Sequence, residues 1–85
     1  MQTKFNIGQN VTTAVPVFGH PEQYVLYSGQ IKRIDIQKLP DGRVLTCYGG
    51  AWPRLAQEDM IAADAGELDA LRLHLESLRM RPDNK

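Results

Sequence analysis

The sequence predicts a mainly β domain, a small five-stranded barrel followed by one C-terminal amphipathic α-helix. Three observations predict it. Glycine and proline punctuate the chain densely from Gly8 to Pro53, as turns between short strands do. Apolar residues alternate with period two between these breaks. Beyond Pro53 no proline recurs until Pro82, and the leucines take helical spacing.

The first strand is expected from Gln9 to Val15, with Val11, Thr13 and Val15 on one face and Thr12 and Ala14 on the other. Val15 to Pro21 reads as a loop, because Pro16, Gly19 and Pro21 do not suit a central strand. Tyr24 to Leu39 is the longest strand-like run. Val25, Tyr27, Gly29 and Ile31 share a parity that Ile34 and Ile36 reverse. One extra residue near Lys32-Arg33 re-aims every later side chain, so a β-bulge or sharp bend is expected there.

Pro40-Asp41-Gly42-Arg43 has the chemistry of a tight turn, proline setting φ and glycine supplying a positive one. It predicts a hairpin whose return arm runs from Arg43 to Tyr48 and stops at Gly49-Gly50. Ala51 to Leu55 is expected as a short edge strand or extended segment. Ala56 to Asp59 reads as a tight helical turn, and Met60-Ile61 as a last strand fragment. The helix runs from Asp64 to about Met80. Asp64 is its N-cap, with Glu67 placed for a capping box. Leu68, Leu71, Leu75 and Leu78 line one face, Arg79 and Arg81 suit the negative pole, and Pro82 ends it. Residues 82–85 are expected to fray. Residues 1–61 form the barrel and 62–85 the helix and tail of a single compact domain.

Composition narrows the function. The chain has 85 residues, 42% of them hydrophobic, and ten Lys+Arg against ten Asp+Glu. This is globular composition, and the length fits one domain. A domain this small buries only about 60% of its unfolded surface, so sharing apolar surface with another copy is expected. No run reaches the ~18 apolar residues of a membrane span. Met1 to Phe5 carry no signal-peptide stretch. The one cysteine, Cys47, points to a cytoplasmic setting. Residues 1–56 carry net +3 and residues 57–85 net −3, a basic sheet facing an acidic helix.

Phe5-x-x-Gly8-x-x-Val11, Gly29-Gln30-Ile31, Pro40 to Arg43, and Leu55 with Glu58 to Ile61 together resemble the SH3-like small barrel superfamily. The resemblance covers residues 5–61. It implies an opening strand, a bent second strand, a hairpin and a short helical turn before the last strand. Within that superfamily the chain is similar to the plasmid-borne type II dihydrofolate reductases, whose protomers share one active-site pore among four copies. That family's catalytic Val-Gln-Ile-Tyr falls on Gly50-Ala51-Trp52-Pro53. None of the four agrees, so the resemblance assigns no catalytic residue.

The residues themselves offer several sites. Tyr24, Tyr27, Tyr48 and Trp52, with Phe18 as a fifth aromatic, gather on strands and loops, and SH3-like folds bind partners in aromatic grooves. Lys32, Arg33, Arg43 and Arg54 are the basic residues of a nucleic-acid face. Leu68, Leu71, Leu75 and Leu78 either pack on the sheet or pair with a second helix in an oligomer. Cys47 reads as a core residue. His20 and His74 have no metal-ligand spacing, so no metal or cofactor is expected. Gly49-Gly50 lacks the lysine and helix of a phosphate loop. Glu58-Asp59 and Glu67/Asp69 read as charges at helix N-termini. Three functions stay open. The first is a non-catalytic interaction module of bacterial or mobile-element origin that binds protein or itself. The others are a nucleic-acid-binding barrel and an oligomeric pore enzyme.

Overall fold

A computed structural model describes residues 3–83; Met1, Gln2, Asn84 and Lys85, part of the expected N-terminal stretch and tail, lie outside the described residues. The described residues are mainly β, with one α-helix. The strands are β1 Asn10–Val17, β2 His20–Lys38, β3 Val44–Gly50, β4 Ala56–Gln57, β5 Ile61–Ala62 and β6 Arg81–Pro82, and α1 spans Ala65–Ser77. The sheet order is β4-β3-β2-β1-β5, antiparallel throughout, with β6 added in parallel to β2. The strands form one open, six-stranded sheet with β4 and β5 at its ends, so closure into the expected five-stranded barrel is not seen.

The opening motif has a physical reason. Gly8 takes φ +89° and its N–H donates to the Ile31 carbonyl over 2.7 Å. This turn lets Phe5 and Val11, three residues to either side, enter the same core. β1 is buried on both faces. Val11 and Val15 point to a core that also holds Phe5, Ile31, Tyr48 and Trp52. Ala14 points to a second cluster with Tyr24, Ala62, Leu71 and Leu75. Between the valines lies Thr13, which is fully buried; its hydroxyl donates to the Met60 carbonyl over 3.0 Å.

The pairing of β2 changes register between Ile31 and Arg33, where the parity slip predicts a bulge. The hairpin turn also forms as expected. Gly42 takes φ +90°, and the Leu39 N–H donates to the Arg43 carbonyl over 2.8 Å.

Four local expectations are corrected. Pro16 and Pro21 lie inside strands, and only Phe18-Gly19 forms the tip of the β1–β2 hairpin. The ladder already shifts between Pro16 and Val17, and Pro21 is near a strand start, so neither missing N–H breaks a regular ladder. Gly49 and Gly50 end β3 as its last two paired residues, opposite Arg33 and Ile31, rather than as a turn beyond Tyr48. Ala51 to Leu55 is an irregular loop, and the edge strand is Ala56–Gln57. The start of the tail is paired: Arg81 and Pro82 run beside Gln23 and Tyr24, and the Asp83 N–H donates to the Tyr24 carbonyl over 2.8 Å.

The helix begins as expected. Asp64 accepts from the Glu67 N–H over 2.8 Å, while the Glu67 carboxylate accepts from Ala63 rather than from Asp64 itself. It ends earlier than expected, in a Schellman motif. Arg79 takes φ +60° and donates to the Glu76 carbonyl, and Met80 donates to that of Leu75. Met80 then packs on the cluster that holds Leu75.

Candidate functional site

The predicted aromatics do not share one surface. Tyr48 has no exposed area, and Tyr24 and Trp52 are also buried. Phe5 and Tyr48 meet edge-to-face at 5.4 Å between ring centroids, and the Trp52 indole N–H donates to the Tyr48 carbonyl over 3.1 Å. These rings hold the core together; Tyr24 and Tyr48 line no open groove, and Trp52 reaches one only by its edge, beside Gly50 and Pro53. Tyr27 alone of the four is half-exposed.

The helix leucines divide in a similar way. Leu71 and Leu75 are buried against Ala14, Tyr24 and Ala62, on the sheet face opposite the main core. Leu68 is half-buried on the same cluster, and Leu78 is 48% exposed. Pairing with a second helix through Leu71 and Leu75 is therefore corrected to packing within the chain.

Open surface with an exposed aromatic ring lies elsewhere. A groove of about 440 Å³ runs between the β1–β2 tip and the loop of residues 51–55. Pro16, Val25, Tyr27 and Pro53 give it apolar walls. At its mouth stands Phe18, 87% exposed. The Arg54 guanidinium lies 6.0 Å from the centre of that ring, within cation–π range. The sequence signal for Phe18 is its place beside Gly19 between two prolines, which pushes an aromatic ring to a turn tip.

A second hollow of about 330 Å³ adjoins the first and shares Pro53 and Arg54 with it. Lys32 and Arg33 form its far side, with Leu55 beside them. Consecutive residues of a regular strand point to opposite faces. The bulge between Ile31 and Arg33 breaks that alternation and brings both cations to one hollow. Arg43 is not part of this group. It sits on the β2–β3 turn, where Asp41 accepts from its N–H over 3.0 Å and pairs with its guanidinium.

The other chemistry-bearing residues are elsewhere. Burial, and then the Asp35 carboxylate opposite it in the ladder, push the Cys47 thiol up from its ordinary value. His20 lies 3.7 Å from Glu22, and His74 lies 3.6 Å from Asp59. Among the described residues no three His, Cys, Asp or Glu side chains are grouped to hold a metal ion. Glu58 leads the 3-10 turn Glu58–Met60, which begins two residues later than the expected turn from Ala56 to Asp59 because Ala56 and Gln57 pair as β4. Its carboxylate also accepts from the buried Tyr48 hydroxyl, a link between distant residues that spacing does not reveal.

No protein-family model matches this sequence, and no curated protein matches it. No helix among the described residues is long and apolar enough to cross a membrane.

Proposed function

We propose that the chain is a small non-catalytic interaction module of the SH3-like kind, which takes an extended segment of a partner protein in the groove below Phe18. The observation that carries this reading is the 87% exposure of Phe18 over apolar walls. An aromatic ring on a hairpin tip contributes little to the core and leaves apolar area in water, as binding surfaces do. The order of elements agrees with the superfamily likeness: a long strand with a bulge, a hairpin, a 3-10 turn and a last short strand. The open sheet would then be a barrel curled by β2 and left unjoined between β4 and β5.

A displayed library of random peptides, panned on the immobilised protein, tests this. The expected result is a set of peptides whose binding is lost on Phe18→Ser and kept on Leu73→Ser, a change at an exposed helix residue outside the groove. Peptides that bind the Phe18→Ser protein equally well overturn the reading.

Nucleic acid is the second reading, favoured by the gathering of Lys32, Arg33 and Arg54. It predicts salt-sensitive binding of a single-stranded oligonucleotide that Arg33→Ala with Arg54→Ala removes.

A further inference from the structure

The two hollows have different electrostatic ends. The Asp83 carboxyl residue lines the first, held in place by its N–H on the Tyr24 carbonyl at 2.8 Å. Lys32 and Arg33 line the second, further along the same strand. From Tyr24 to Arg33 the strand covers ~30 Å of contour at ~3.3 Å per residue. Arg54 and Pro53 stand in the middle and belong to both hollows. Among the described residues, Lys32 and Arg54 form no ion pair, and Arg33 reaches Asp35 only at 4.0 Å. The surface is thus acidic at one end, apolar beneath Phe18 with Arg54 beside it, and basic at the other end.

We infer that the groove selects a peptide segment carrying an apolar side chain followed by carboxylates, the apolar group under Phe18 and the carboxylates over Lys32 and Arg33. This inference rests on the reading of the groove as a peptide site and adds the chemistry of the partner. Charge complementarity argues for it. Three cations surround one hollow, and carboxylates there meet unpaired or weakly paired donors. The same pattern argues against a nucleic acid. Phosphates recur at every nucleotide, so a strand long enough to reach Phe18 brings negative charge toward Asp83. The chain's formal charge is zero, which supplies no wide positive field to offset that repulsion. A peptide places its charges at one end only.

Fluorescence anisotropy with labelled synthetic peptides decides this. One probe carries Trp-Leu followed by a run of Glu; its counterpart carries Gln in place of every Glu; the third is oligothymidylate. The Glu peptide is expected to bind at least about fivefold more tightly than the Gln peptide at low salt, and the gap should close at high salt. Lys32→Ala with Arg33→Ala should bring the Glu peptide down to the Gln peptide's affinity without lowering the melting temperature, since both side chains are exposed. Phe18→Ser should weaken both peptides. Equal affinity for Glu and Gln peptides, with Phe18→Ser still weakening both, overturns the acidic partner and leaves the peptide groove standing. Binding of neither peptide overturns the groove and this inference together. Preference for oligothymidylate over the Glu peptide assigns the surface to nucleic acid and overturns the inference.

Discussion

The Tyr48 hydroxyl donates to the Glu58 carboxylate over 2.5 Å, from a ring with no exposed surface. The same carboxylate oxygen accepts from the Lys4 N–H over 3.3 Å, and the Phe5 N–H donates to the Tyr48 oxygen over 3.4 Å. One phenol therefore ties the N-terminal segment and the 3-10 turn to β3. Removing only its oxygen, by Tyr48→Phe, leaves the Phe5 N–H buried without a partner. Chemical denaturation is expected to show a loss of about 1–3 kcal/mol.

The same phenol sets an alkaline limit to stability. Burial, reinforced by the hydrogen bond to Glu58, pushes Tyr48 up to about 12 from its ordinary value of 10.0. The folded state then holds this proton more tightly than the unfolded chain. Its contribution is whole below the unfolded value of 10.0 and is lost as pH rises through about 12. Stability should fall across that window in the native protein and fall less steeply in Tyr48→Phe. Cys47, also raised, adds a decline of the same sign that both proteins share. Identical slopes in the two proteins would show that Tyr48 ionises as freely folded as unfolded.

Arg79 holds φ +60° at the C-terminus of α1, where glycine is the usual residue. An L-residue in this conformation is strained by roughly 1–2 kcal/mol. Arg79→Gly relieves the strain and keeps both backbone bonds, to Glu76 and from Met80 to Leu75. Part of the gain is offset by the greater freedom of glycine in the unfolded chain. Urea titration is expected to show a gain of about 0.5–1 kcal/mol.

The helix leucines separate packing from pairing. Leu75 is fully buried and Leu78 is half exposed. Leu75→Ala should cost about 2–5 kcal/mol, a large share of what holds a domain of this size. Leu78→Ala should cost less than about 0.5 kcal/mol. Sedimentation of Leu71→Asp or Leu75→Asp is expected to report an unfolded chain, not a folded protein of lower mass. A folded species of reduced mass would return these leucines to an interface between chains.

Much of the fold is legible in local chemistry. The parity slip at Lys32-Arg33, the Pro40 to Arg43 turn and the Asp64 cap each depend on neighbours in sequence, and each appears at its place. What local pattern missed depends on residues far apart. Strand propensity separates neither the buried Tyr24, Tyr48 and Trp52 from the exposed Phe18 nor a barrel wall from an open sheet edge. Burial is decided by what crosses above each ring. Trp52 is drawn inward by the Tyr48 carbonyl, and Tyr24 is covered by Leu71 and Leu75 from the far end of the chain. The groove was half legible for the same reason. Its cations Lys32, Arg33 and Arg54 could be named in advance, but the neighbour that marks the site, Phe18, is set beside Arg54 by the tertiary fold.

Two glycines should respond in opposite directions to the same substitution. A Cβ on Gly50 would lie 2.5 Å from the Gln30 carbonyl oxygen and 2.7 Å from the Trp52 ring. The carbonyl belongs to β2, next to the register shift, and cannot turn aside as a flexible side chain does. The indole cannot retreat without losing its bond to the Tyr48 carbonyl. Gly50→Ala is therefore expected to cost about 1–3 kcal/mol and to perturb Trp52 fluorescence. On Gly66, in the first turn of α1, a Cβ meets only the Asp64 carboxylate at 3.5 Å, an ordinary contact. Alanine there reduces the freedom of the unfolded chain and favours helix, for a gain of about 0.5–1 kcal/mol. A neutral Gly50→Ala with unchanged fluorescence would mean that β2 and Trp52 do not approach β3 this closely. The loop that carries Pro53 and Arg54 would then sit differently, and the shape of the groove would change with it.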